Sequence, residues 1–163
     1  MIAVAAEEDG PGIGRIRMRR ILDASADSLI PFIENSIEPG STVHTDGWLG
    51  YLPLEGKEYR HEITYLKGNS KTASELMPRV HRVVALLKRW LLGTHQGGVS
   101  IEHLDAYLDE FTFRFNRRRS KSRGKLFYRL AQQAVAAAPV PYDQIVHPTA
   151  GKAKAKPQPI GAT

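Results

Sequence analysis

Ser41-Thr42-Val43-His44-Thr45-Asp46-Gly47-Trp48 runs from β-forming residues into a carboxylate followed at once by glycine. The stretch reads as a short strand, Ser41 to Thr45, that delivers Asp46 to the rim of a sheet, where α/β proteins keep their chemistry. Farther along, Ala73, Leu76, Met77, Val80, Val84, Leu87 and Leu91 recur at helical spacing and predict an amphipathic helix from about Thr72 to Leu92. Within it His81 and Lys88 stand about two turns apart at 3.6 residues per turn, so they share one face. That face borders the apolar stripe, which puts both residues at the margin of the core, where a site with Asp46 is expected. Pro78 interrupts the pattern. It removes a hydrogen bond and clashes with the preceding turn, so either the helix kinks there or a new one starts with Pro78 in its first turn.

Working back towards the start, Ile2 to Ala6 reads as a short buried strand and Glu7 to Gly12 as a polar turn. Arg15 to Leu22 alternates basic and apolar residues, the period of a strand with one face on a core and one in water, so the opening is expected to be a hairpin. Its arginines, Arg15, Arg17, Arg19 and Arg20, are read as an exposed strand face rather than the lining of a groove. Asp23 or Ser25 can cap a helix carrying Ala26, Leu29, Ile30, Ile33 and Ile37 on one side, and Pro39-Gly40 stops it. Beyond the central strand, Trp48 to Leu54 is apolar and rich in turns, and Tyr59 to Leu66 supplies another strand. Strand, strand, helix, strand is the order of an α/β or α+β layer with the helix covering one sheet face.

Towards the end, Gly93 to Gly98 breaks the chain, and Ser100 is expected to cap a helix with the apolar stripe Leu104, Tyr107, Leu108, Phe111 and Phe115. Glu110, Arg114 and Arg117 follow at i, i+4 and i+7 on a separate charged face. Arg117 to Gly124 reads as a basic loop, Leu126 to Ala138 as a last helix, and residues 147–163 as a disordered basic tail with little to bury.

Composition narrows the function classes. With 163 residues, 42% hydrophobic and 25% charged, the chain suits one soluble domain with a real core. No apolar run approaches the roughly 18 residues of a membrane span, and no signal peptide is legible, so the expected compartment is the cytoplasm. The absence of cysteine excludes disulfides, thiolate zinc sites and a cysteine nucleophile. Residues 1–78 carry 8 Lys+Arg against 12 Asp+Glu, net −4, whereas 79–129 carry 12 against 4, net +8. So local a basic character suggests a polyanion, nucleic acid before a membrane surface, against the plainer reading of a solvated face.

Three runs together carry a resemblance: His44-Thr45-Asp46-Gly47-Trp48 with Gly50-Tyr51, then Val80-His81-Arg82 with Leu87-Lys88-Arg89, then Tyr107-Leu108-Asp109-Glu110-Phe111-Thr112-Phe113-Arg114-Phe115-Asn116-Arg117-Arg118. They resemble the catalytic domain of bacterial insertion-sequence transposases of the ISXO-like group, over most of residues 1–145. The resemblance implies a ribonuclease H-like fold, a mixed sheet flanked by helices, and DNA strand cleavage and joining by two divalent ions, Mg2+ or Mn2+. It implies DNA partners, transposon ends and target, and homo-oligomers with full-length transposase. It places the family's second catalytic aspartate at Asp46, a suitable oxygen ligand. The third metal-site position, counted back from the motif lysine at Lys88, falls on His81 where the family usually has Glu. Imidazole suits manganese or zinc better than magnesium, so His81 is either a metal ligand or a hydrogen-bonding and packing residue. Lys88 and Arg89, with Glu110, Arg114, Arg117 and Arg118, are expected to meet DNA, Glu110 holding Arg114 towards the phosphates or forming only a surface pair.

In that family a first catalytic aspartate sits on an opening strand upstream of the hairpin, and Glu7, Glu8 and Asp9, lying in the hairpin turn, do not replace it. The expectation is therefore a partial catalytic domain over residues 1–146, a truncated copy or part of an interrupted gene, expected to be inactive as an isolated chain. The rival is a non-catalytic DNA-binding or regulatory remnant; a third class is a ribonuclease H-like nuclease outside transposition.

Overall fold

The alternation of the first twenty residues produces a hairpin with a different helix layer on each side. In the computed structural model, which describes residues 1–65, 72–96 and 98–146, strand β1 (Ile2–Asp9) pairs antiparallel with β2 (Gly12–Arg20), from Ile2 opposite Arg20 to Asp9 opposite Gly12. Both strands reach closer to the turn than expected, because pairing continues up to Gly10, which takes the left-handed φ of +53° that glycine tolerates. The register slips between Ala6 and Glu8, so Gly14 and Arg15 together oppose Glu7. Ala3 and Ala5 belong to the cluster built on helix α1 (Ala26–Ser36), with Ile30, Phe32 and Ile33. Ile2, Val4, Ala6, Ile16 and Met18 belong to a second cluster, with helices α3 (Pro78–His95) and α4 (Leu104–Asn116) contributing Val83, Leu87, Leu108, Phe111 and Phe115.

Strand β3 (Thr42–Thr45) pairs parallel with β4 (Arg60–Ile63), the two joined through a 3-10 segment at Leu49–Gly56. Val43 and Leu54 complete the cluster on α1, so α1 serves both strand pairs. The result is the expected α+β class, with one antiparallel and one parallel pair as small sheets flanked by helices. Leu66, the last residue of the fourth expected strand, and the tail at 147–163 lie outside the described residues.

Pro78 starts a helix and does not kink one. A single turn, α2 (Ala73–Leu76), is closed by a capping box between Thr72 and Glu75, and α3 begins afresh with Pro78 in its first turn, where the missing N–H costs nothing. The expected break at Gly93 is corrected: α3 runs through Gly93 and Thr94 to His95 and ends at Gln96, whose φ of +49° reverses the chain. Ser100 is not a cap; His103 precedes the first turn of α4, because residues 101–103 form a turn of their own. These elements belong to a compact unit, Met1–Ser120, and the chain from Lys121 forms a second. In the second, α5 (Arg123–Ala136) starts earlier than expected, taking Arg123 out of the basic loop, and a short α6 (Tyr142–Val146) was not foreseen. No described helix is long and apolar enough to cross a membrane.

The outer edge of β2 is closed by side chains from the last turn of α4 and the residues just after it, and the hairpin turn is held from α3. Ile16 N–H donates to Asn116 Oδ1 (2.7 Å), and Asn116 Nδ2 donates back to Ile16 O (3.0 Å), so one amide replaces a neighbouring strand. Arg118 donates to the carbonyls of Ile13, Gly14 and Phe115, and Arg79 of α3 donates to those of Gly10 and Gly12 and to Glu8. Asn116→Ala leaves the N–H of Ile16 unpaired, and its carbonyl with only the Arg17 guanidinium, in a site where Ile16 is only 1% exposed. The expected loss is about 1–3 kcal/mol of unfolding free energy, read as a lower urea midpoint at unchanged slope. An unchanged midpoint would show that the edge does not need the amide.

Candidate functional site

The Thr45-to-Tyr51 turn explains its own sequence. Thr45 is buried, its hydroxyl hydrogen-bonded to His61 Nε2 on the neighbouring strand (2.9 Å), which fixes the end of β3. Asp46 follows, exposed, with Oδ1 accepting from Trp48 N–H (3.2 Å). Gly47 takes a φ of +77°, so the chain folds back at once. Trp48 Nε1 donates to Ala24 O (2.7 Å), tying the turn to the start of α1, and a Cβ on Gly50 would stand 2.5 Å from that same carbonyl. Aspartate at the strand end, glycine, tryptophan and a second glycine are thus one device for presenting a carboxylate. On the same exposed face of the strand pair, His44 Nε2 is hydrogen-bonded to Thr64 Oγ1. Tyr51 packs at the edge of the α1 cluster, and its hydroxyl is held above the ordinary range by burial first and by the Asp46 carboxylate second.

The expectation that His81 and Lys88 border the core is corrected. The buried residues of α3 are Val83 and Leu87, flanked by Leu86 and Trp90, and at 3.6 residues per turn Val83 lies about 200° from His81. His81 and Lys88 do share a face, as the spacing requires, but it is the outer one, exposed and shared with Arg82, Ala85 and Arg89. Apolar residues cover most of this helix's circumference, so its sequence alone does not say which arc faces the hairpin. Val83, missing from the expected stripe, turns out to be its centre.

On α4 the expected stripe holds, with Leu108, Phe111 and Phe115 buried. Glu110 pairs with Arg114 at 3.3 Å, both side chains about half exposed or more, an arrangement worth little by itself. Arg117 stacks on Phe113 at 3.8 Å. Arg118 stacks on Phe115 at 3.9 Å while its N–H groups bind hairpin carbonyls; burial, then the nearby Arg119, lowers its pKa against the pull of Asp9, and it stays a cation. Sequence reasoning missed Arg79 and Asn116 as structural clamps, and missed Arg82. The signal for Arg82 was present: the 18 residues of α3 contain no Asp or Glu.

Asp46 offers a hard oxygen donor of the kind Mg2+ prefers. Among the described residues, however, no group of three or more His, Asp or Glu is gathered closely enough to hold a metal ion. The donor set therefore does not amount to a two-metal centre.

The Tyr51 shift gives a test of the Asp46 geometry. A phenol whose folded pKa lies above its unfolded value of about 10 contributes stability below that pH and loses it as pH rises through the folded value. Asp46→Asn removes the second cause, so the Tyr51 component of the tyrosinate absorbance, isolated by difference from Tyr51→Phe, is expected to titrate at lower pH. An unmoved titration would separate the two side chains.

The ISXO2-like transposase domain family matches residues 1–116, from β1 to the last residue of α4. Comparison with curated proteins and with solved structures gave no match. The matched span takes in the carboxylate turn, the basic helix α3 and the edge-closing Asn116, and it covers more than half of the chain. On that ground the chain belongs to the ISXO2-like transposase family, whose work is DNA transposition.

Proposed function

We propose that this chain acts in DNA transposition by holding duplex DNA against the outer face of α3. The observation that carries it is the charge of that face: Arg82, Lys88 and Arg89 stand exposed beside His81 on a helix without a single carboxylate, and none of them forms an ion pair among the described residues. Like charges gathered on one face repel one another, and a phosphate backbone relieves that repulsion while releasing counterions. Lys88 suits a phosphate as a compact cation, and the planar arginines suit two oxygens at once. His81 belongs on this reading to the phosphate row and not to a metal. Arg114, steadied by Glu110, and Arg117 extend contact along α4. A ribonuclease H-like reading is supported by the helix layers on both sides of the hairpin and the parallel pair that ends at Asp46.

The described residues do not make a Mg2+ or Mn2+ centre alone, so no cleavage step is assigned to them. Asp46 is the residue that would enter such a centre beside carboxylates from elsewhere. A DNA partner, transposon ends or target, fits a cytoplasmic chain, and co-assembly with other transposase chains is the route by which it would influence transposition.

Two measurements test this. In fluorescence anisotropy on a duplex, Lys88→Ala with Arg89→Ala should flatten the plot of log affinity against log salt by about 1.8, two contacts at roughly 0.9 each. An unchanged slope would overturn the α3 interface. The isolated chain with Mg2+ or Mn2+ is expected to leave element-end DNA unnicked; nicking abolished by Asp46→Ala would show that a complete centre exists after all.

A further inference from the structure

Arg15, Arg17 and Arg19 stand on the face of β2 opposite the one that buries Ile16 and Met18. All three are exposed, and none has an ion-pair partner among the described residues. Glu7, which faces the bulge at Gly14 and Arg15, commits its carboxylate to the backbone N–H of Arg15 (2.7 Å). Arg17 uses one N–H on the carbonyl of Ile16 (3.2 Å), and Arg20, which leaves the row, pairs with Asp105 at 3.2 Å. Opposite Arg17 and Arg19 on β1 lie Ala5 and Ala3, too small to screen them. Helix α1 packs on the alanines of β1 and leaves the arginines of β2 uncovered.

A charged strand commonly guards an open sheet edge against pairing with another chain. That explanation is met at the turn end of β2, where Asn116 and Arg118 already occupy the edge at Ile13, Gly14 and Ile16 without help from a charged side chain of the row. What remains is a row of like charges, arginine at every position and lysine at none, held in extended geometry. Alternate residues of a strand advance about 6.8 Å, twice the roughly 3.4 Å axial interval between phosphates of one DNA strand, so a row of this kind can follow a backbone. The planar guanidinium is the group that grips two phosphate oxygens together.

The geometry points to a second DNA-binding row, Arg15, Arg17 and Arg19, that contacts the phosphate backbone of a duplex other than the one on α3. The hairpin lies between them: α3 packs on its Ile16 face, the arginines leave from the other, and the outer face of α3 looks away from both. One duplex cannot easily reach the two rows at once, so the unit Met1–Ser120 bridges two segments of DNA. This rests on the DNA reading above and extends it from one bound duplex to two.

The test uses the full chain, a duplex fixed to beads and a second, labelled duplex in solution. The chain is expected to retain the labelled duplex on the beads. Arg15→Gln, Arg17→Gln and Arg19→Gln together should abolish that retention while single-duplex binding through α3 persists, and the corresponding lysine triple variant should keep it. Arg17→Gln with Arg19→Gln serves if the triple glutamine variant fails to fold, as judged by its circular dichroism and melting curve. Retention unchanged in a folded glutamine variant overturns the second row and leaves α3 standing. Loss in the glutamine variant together with an unaltered salt slope in the Lys88, Arg89 variant supports the row and removes the α3 interface instead. Absence of DNA binding by the unaltered chain overturns both.

Discussion

The amide of Asn116 does the work of an absent strand. Ile16 lies in the middle of β2 with its backbone groups turned outward, in a place where Ile16 itself is sealed from water, and unpaired groups there would cost about 1–3 kcal/mol each. By matching both of them, Asn116 sets where the end of α4 must sit. That position brings Phe115 and Phe111 down onto the hairpin and lets Arg118 lie across Phe115 with its donors on the next carbonyls along the edge. Arg79 holds the turn from the side of α3 by the same means, guanidinium to carbonyl, and Arg119 adds an ion pair to Asp9 at 2.7 Å. The hairpin's polar rim and its apolar face are therefore satisfied by the same two helices.

The second strand pair is held on different terms. No described side chain from α3 or α4 enters the cluster around Val43; α1, the 3-10 segment, Ile21 and Tyr59 supply it, with Ala3 and Ala5 of β1. Its polar anchor is the Thr45–His61 hydrogen bond inside and the Trp48–Ala24 bond at the turn. Asp46 consequently takes its place from β3 and α1, whereas Lys88 and Arg89 take theirs from the hairpin. The carboxylate and the cationic ridge thus share the hairpin but rest on different helices, α1 for the one and α3 for the other, which is why the metal chemistry and the DNA contact are separable questions in this chain.

Much of this was legible in the sequence, and the gaps have physical causes. Alternation from Arg15 to Arg19 located β2, and a carboxylate before a glycine located the end of β3, because a period of two and a positive φ leave few alternatives. The rotation of α3 was not legible, since Val80, Val83, Val84, Leu86, Leu87 and Leu91 leave several arcs apolar and only the docked hairpin selects Val83 and Leu87. Gly93 misled because a glycine in a helix costs only about 1 kcal/mol, and the turn continued past it sets His95 against Trp90 and Tyr107. Asn116 and Arg118 looked like part of a DNA-binding run; nothing local in an Asn-Arg-Arg sequence reveals that a strand edge about a hundred residues earlier needs closing.

That division of labour among the arginines bears on how the charge should be read. The count of basic residues between 79 and 129 suggested one continuous surface, yet Arg79, Arg118 and Arg119 spend their charge on the hairpin turn and its acids. Among the cations left over, Arg82, Lys88 and Arg89 gather on one side and Arg15, Arg17 and Arg19 on the other. The second set lies in the half of the chain that is acidic in sum, because Glu7, Glu8 and Asp9 gather at the turn and are answered there by backbone N–H, Arg79 and Arg119. Net charge along the sequence thus hid the row on β2, since the carboxylates that cancel it on paper are already engaged elsewhere in the fold.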